Sequence, residues 1–290
     1  MNNTVKLLII LAVIIGLYFL TIKDTSSTSF DKNFTQLDKD KITKVEIFKT
    51  DTVILLKENN EWRVENYKAN QSVVDNALKE VAHITLSRKV SSNPKKHDTY
   101  EVTSEKGVQI KLSGEQDVAF ILGKSGASYQ NIFIRRPNED DVYTTTKNFK
   151  FHFNKSANDF KDKTILKIAK NDIASLSIND NLFITNKDSL VTIKSNKGNE
   201  IEGNSTAESL LNAFNYFNTL DFPTVDASTL SAEFTVKVHE RDGDVQDIRF
   251  YKKPSDETKY LVLVNKNQTV FEVNTSSFNS FTKSFNDLKK

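Results

Sequence analysis

The side chains of this 290-residue chain that could do chemistry are four histidines, two carboxylate clusters, a glycine-flanked lysine and many serines. His83, His97, His152 and His239 lie far apart, with no pair four residues apart to set two imidazoles on one helix face. They read as surface or boundary positions, His83 at a helix end where a cation favours the dipole. Glu139-Asp140-Asp141 has the charge to hold a cation but sits between two strand patterns, as a solvated hairpin tip does. Asp242-Gly243-Asp244 with Asp247 lacks the twelve-residue calcium loop and its closing glutamate, and reads as a turn. Gly123-Lys124-Ser125-Gly126 has the composition of a phosphate loop without its G-x-x-x-x-G-K-[ST] spacing.

No serine lies in G-x-S-x-G, and no S-x-x-K comes with its companion motifs. Scattered carboxylates alone define no glycosidase pair. Arg135-Arg136-Pro137 could meet phosphate or anionic lipid, and reads as positive charge guarding a strand edge. Trp62, the one tryptophan, stands in Trp62-Arg63-Val64 ahead of a helix and reads as core rather than as a sugar platform. The sequence therefore assigns no catalytic, cofactor-binding or metal-binding residue, and the chain is read as a non-enzyme without a cofactor. Zero cysteine excludes disulfides, iron–sulfur clusters and thiolate zinc sites.

Hydropathy patterning sets out the elements that would carry these groups. A first unit opens on the alternating strand 41–48, with a second strand at 52–56 and a turn at Glu58-Asn59-Asn60-Glu61. A helix follows, with Val73, Val74, Ala77, Leu78 and Val81 on one face and Asn70 or Ser72 as its cap. Strands are expected at 108–112, 118–122, 131–135 and 142–145, closed by a segment through Phe149, Phe151 and Phe153. A second unit repeats the order, with strands at 172–178, 182–185 and 191–195. Its helix opens on a capping-box pattern at Ser205-Thr206-Ala207-Glu208 and buries Leu210, Leu211, Phe214 and Phe217. Strands at 233–239, 247–251, 260–264 and 269–273 follow, with a hairpin turn at Asp242-Gly243 and a closing helix through Phe278, Phe281, Phe285 and Leu288.

Lys and Arg total 40 against 38 Asp and Glu, a net charge of +2, with the signs interspersed. Such a surface does not fit a nucleic-acid partner, which needs basic residues gathered on one face. Residues 5–22 are apolar except for Lys6 and Thr21. As a helix this run would be about 27 Å long, close to the ~30 Å hydrocarbon core of a bilayer. Val5, Leu7, Leu8, Ile9, Ile10, Leu11, Ile14, Ile15, Leu17, Phe19 and Leu20 are its membrane-facing candidates. The run is long for a cleaved secretory signal and no A-x-A site follows it. The expectation is a single span in a bacterial inner membrane with the body extracytoplasmic.

The expected fold is therefore α+β: an N-terminal transmembrane helix, then two tandem, similar units of antiparallel sheet with one main helix each. The expected boundaries are 1–23 for the anchor, 24–40 for a polar tether, 41–168 for the first unit and 169–290 for the second.

A strand over 42–47, Trp62-Arg63-Val64, a helix over 72–81 followed by Arg88-Lys89-Val90, and Phe120-Ile121-Leu122-Gly123-Lys124 together resemble the bacterial family called domain of unknown function 4340. Tyr129, Val142-Tyr143, and Asp162-Lys163 with Ile165-Leu166 extend the likeness, although Glu65-Asn66-Tyr67 stands where that family has a proline. The resemblance implies a membrane-anchored accessory to a transport or envelope complex, with an ABC-type permease as partner and no catalytic residues to carry over. Three functional classes follow. The first is an interaction module that offers strand edges to such a partner. The second is an extracytoplasmic binding protein holding a glycan or peptide in a groove between the units. The last is an envelope hydrolase, which needs titratable groups brought together.

Overall fold

The computed structural model describes residues 11, 30–127, 129–187, 190–226, 229–265 and 269–289. In chain order its strands begin with β1 (Ile42–Phe48), β2 (Thr52–Glu58), β3 (Glu61–Val64), β4 (Tyr67–Lys68) and β5 (Leu86–Ser91). Next come β6 (Val108–Gly114), β7 (Val118–Ser125), β8 (Ile132–Arg135), β9 (Val142–Thr145) and β10 (Thr164–Leu166). The second half adds β11 (Ile173–Ile178), β12 (Leu182–Lys187), β13 (Leu190–Ser195), β14 (Glu200–Glu202) and β15 (Phe217–Asn218). It ends with β16 (Phe234–Glu240), β17 (Val245–Lys252), β18 (Lys259–Val264) and β19 (Phe271–Asn274). The helices are α1 (Gln71–Ala82), α2 (Ala157–Phe160), α3 (Ser205–Ala213), α4 (Thr275–Phe281) and α5 (Phe285–Leu288).

Two compact units are interleaved in sequence. The first takes in Asp75–Asn154 and the described residues up to Thr52; the second takes in Val53–Val74 and the described residues from Lys155 on. In the first unit the antiparallel strands run in the order β1-β6-β7-β8-β9-β5. In the second, eight strands run β14-β13-β12-β11-β16-β17-β18-β19, and β2, β3 and β4 form a meander in the order β4-β3-β2. The runs β1-β6-β7-β8-β9 and β11-β16-β17-β18-β19 thus share one connectivity, as do β4-β3-β2 and β14-β13-β12.

The period-2 rule explains which residues go inside. In β12, Leu182, Ile184 and Asn186 are buried while Phe183, Thr185 and Lys187 face outward. The buried set of β1 is Ile42, Val45 and Ile47. Asn186 satisfies its buried amide by donating to the carbonyls of Lys170 and Ile173 at 2.8 and 3.0 Å. The core of the second unit is aromatic. Phe250, fully buried, has the rings of Phe217, Phe234, Phe278 and Phe281 within 5.5–6.3 Å.

Four expectations change. The N-terminal transmembrane helix is not part of the described fold, because no described helix is long and apolar enough to cross a membrane. The longest, α1, has twelve residues, or about 18 Å at 1.5 Å per residue, against a ~30 Å core. The stretch on which that helix was expected, 5–22, lies outside the described residues apart from Leu11. The sheet-rich α+β part of the expected class is what the described chain forms.

The expected tether is docked over its described part. Phe34 and Leu37 are buried, and the Thr35 hydroxyl donates to Val81 O at 2.7 Å. The cap of α3 is Asn204 rather than Ser205. Its Oδ1 accepts from the backbone N–H groups of Thr206 and Ala207, which an asparagine side chain reaches from one residue earlier. The closing helix is two helices, α4 and α5, because Ser284 starts afresh with a capping box to Asp287.

Candidate functional site

A cleft of about 590 Å³ opens at one end of the second unit. Three pieces of chain wall it. One is the β11–β12 turn, in which Asn179 and Asp180 both take positive φ (46° and 53°), the conformation of a two-residue hairpin turn. The second is the β13–β14 turn, Asn196 to Asn199, which needs Gly198 at φ 83° to close. The third is the α4–α5 link, Thr282 to Ser284, with the first residues of α5, Phe285 and Asn286. Ile178 and Leu182 are its buried apolar lining, and Phe234 and Phe285 are half-buried.

The walls are tied before any ligand arrives. Asn196 N donates to Asn181 O at 2.9 Å, and Asn196 Nδ2 to Asn181 Oδ1 at 2.7 Å, locking the two turns together. Asn179 Oδ1 accepts from Thr235 N at 2.8 Å and so fixes the first turn to β16. Thr282 N donates to Phe278 O, and Lys283 N to Phe281 O, so the link is an ordered end of α4. What remains is a fixed surface with unused polar capacity. The side chains of Asn199 and Asn286 make no hydrogen bond among the described residues. The Ser195 Oγ is buried without a partner.

Planar amides that both donate and accept, next to half-exposed phenyl rings, suit hydroxyl-bearing ligands better than they suit bond-breaking chemistry. Among the described residues no titratable pair lines the cleft, and the ionisable groups that do are Lys197 and Lys283.

Several charged groups elsewhere are committed to structure. Glu272 is buried on β19, and its carboxylate meets Lys253 and Lys259, the latter at 2.7 Å. Burial alone would raise its pKa; the two ammonium groups outweigh burial and hold it below its ordinary value. Lys161, 9% exposed, pairs with Glu65 at 2.8 Å and lies over the Tyr67 ring at 4.2 Å.

Arg135 is the buried last residue of β8, a strand flanked on both sides by β7 and β9, and not an edge guard. Its guanidinium donates to the carbonyls of Val102, Arg136, Pro137 and Glu139, so it holds a loop rather than an anion. Asp141 is paired with Lys89 at 2.7 Å and accepts from the Tyr143 hydroxyl. Burial beside that carboxylate pushes the Tyr143 pKa up to about 12. Gly123 is within β7, where a Cβ would meet Tyr100 O at 2.2 Å, so this glycine serves close packing.

His97 meets Asp140 O at 2.9 Å and His152 stacks on Phe151. Among the described residues no three His, Cys, Asp or Glu side chains are grouped to hold a metal. Trp62 is buried. The expected membrane-facing residues lie, apart from Leu11, outside the described residues.

Sequence reasoning passed over the cleft. Its asparagines carry only a turn signal, and nothing in their spacing shows that three pieces of chain distant in sequence converge. The described part of the chain also blunts its strand ends. Asp221 pairs along β19, Lys161 beside β4, Lys289 beside β14 and Asn33 beside β5. The β5 strand carries Arg88, Lys89 and two breaks in register with β9.

A family model described as Domain of unknown function (DUF4340) matches residues 62–233. No curated protein and no solved structure matches the chain.

Proposed function

The chain belongs to the domain of unknown function 4340 family, and from that premise we propose a non-catalytic, extracytoplasmic binding protein whose second unit holds a glycan segment in the Asn-lined cleft. The observation that carries this reading is the cleft's composition. Asn179, Asn181, Asn196, Asn199 and Asn286 line it together with Phe234 and Phe285, and among the described residues no Asp or Glu does. Sugar hydroxyls need paired donors and acceptors, and the apolar face of a pyranose packs on phenyl rings. The groove lies within one unit rather than between two.

Pairing of a partner strand to a sheet edge, the route by which an accessory module would grip an ABC-type permease, is less favoured. The terminal strands are short, covered or basic. The apolar run at 5–22 supports delivery of the body beyond the cytoplasm.

Isothermal titration with chitotriose tests the reading. Binding of the full chain is expected to weaken about fivefold in Phe285→Ala, since one ring contact contributes roughly 1 kcal/mol. Asn199→Ala is expected to weaken it further with no change in melting temperature, because that side chain holds nothing else. Equal affinity in the parent and both variants would remove the cleft from consideration.

A further inference from the structure

The cleft's charge is one-sided. Lys197 lies on the wall made by the β13–β14 turn and Lys283 on the wall made by the α4–α5 link. Neither ammonium forms an ion pair among the described residues. Three carboxylates stand near these walls without lining the cleft, Asp180, Glu200 and Asp287, the last close enough to Lys283 to feel its charge. Asp180, in the β11–β12 turn, pairs with Lys237 at 3.0 Å. Asp287 accepts from the Ser284 hydroxyl and N–H at 2.7 and 2.8 Å. Across the chain the signs balance almost evenly, at 40 basic to 38 acidic residues. Two cations in a cleft that no acidic residue lines among the described residues are therefore a local departure rather than a general excess.

We infer that the glycan bound in this cleft is an acidic one, carrying a carboxylate on its sugar ring that Lys197 and Lys283 receive while Asn199 and Asn286 take its hydroxyls. The inference rests on the glycan reading of the cleft and adds the charge of the ligand to it. The two lysines lie on separate walls of the same cleft. Charge-assisted hydrogen bonds are stronger than neutral ones, and in a partly exposed cleft they remain sensitive to salt.

The test compares trigalacturonate with its trimethyl ester, which has the same skeleton without the charge, by titration into the full chain. The acid is expected to bind roughly fivefold or more tightly than the ester, two exposed charge contacts each contributing a few-fold. That preference is expected to vanish in the Lys197→Gln, Lys283→Gln double variant and to shrink in concentrated salt. The side chains of Lys197 and Lys283 make no hydrogen bond or ion pair among the described residues, so circular dichroism and melting are expected to be nearly unchanged. If ester and acid bind equally at the cleft, the charge inference is overturned and the glycan reading stands. If neither binds, the charge inference is overturned, and the glycan reading falls with it when chitotriose does not bind either. An acid preference that survives in the double variant also overturns the inference, because the charge would then be read elsewhere.

Discussion

Phe250→Ala is expected to lower the stability of the second unit by about 3–5 kcal/mol, the range for deleting a fully buried phenyl ring. The side chain is completely buried, and four other rings close around it. Truncation leaves a space those rings cannot all move into, since each is also held by its own strand or helix. The urea midpoint of the full chain, followed by circular dichroism, measures the loss. The same substitution is expected to weaken glycan binding through Phe234, whose ring lies 6.3 Å from Phe250 and lines the cleft. Phe250 is a positioning residue in that sense. Phe250→Leu, which keeps much of the volume, is expected to restore most of the stability. A loss under 1 kcal/mol in the alanine variant would mean that the aromatic cluster is not the core of this unit.

Replacing Lys253 and Lys259 together by methionine is expected to cost about 3 kcal/mol. The change strands the Glu272 carboxylate in a site where its side chain is 3% exposed. The lower end of the usual range applies because Lys259 is 37% exposed and its contribution is partly screened. Adding Glu272→Gln to the pair is expected to recover most of the loss, because an amide can be buried there without an uncompensated charge.

The pH dependence separates charge from packing. In the parent, Glu272 has a folded pKa below its ordinary 4.5, so its stabilisation is full above that value and is lost as pH falls through the folded pKa. In the double variant, burial without cations raises the folded pKa, and the contribution of Glu272 then improves as pH falls. Opposite slopes of stability in the acid range are the expected result. Parallel slopes would show that the lysines act by packing alone.

Much of the scaffold is legible in the residues. The alternation in Leu182 to Lys187 and the helical spacing of Leu210, Leu211 and Phe214 each point to one element and one buried face. The caps were harder to read. Asn204 and Ser205 are both good N-caps, and the choice depends on Asn204 Nδ2 reaching Asp287 O and Lys289 O, more than eighty residues away. Arg135 was misread for a related reason. Two adjacent arginines look like surface charge until the 136–139 turn wraps its carbonyls around one guanidinium. Glu272 sits in an apolar strand with no sign that Lys253 and Lys259 converge on it from β17's end and β18. The cleft is the extreme case. Asn181 and Asn196 belong to two separate turns and Asn286 to α5, and only the pairing of β11, β12 and β13 with the placement of α5 makes them neighbours.

The most direct test of the central claim is to map amide chemical shifts of the full, isotope-labelled chain during titration with trigalacturonate. The account predicts shifts confined to residues 178–182, 195–199, 234 and 282–286, saturating together with a single affinity. Shifts elsewhere on the chain, or none at the highest soluble sugar concentration, would contradict it.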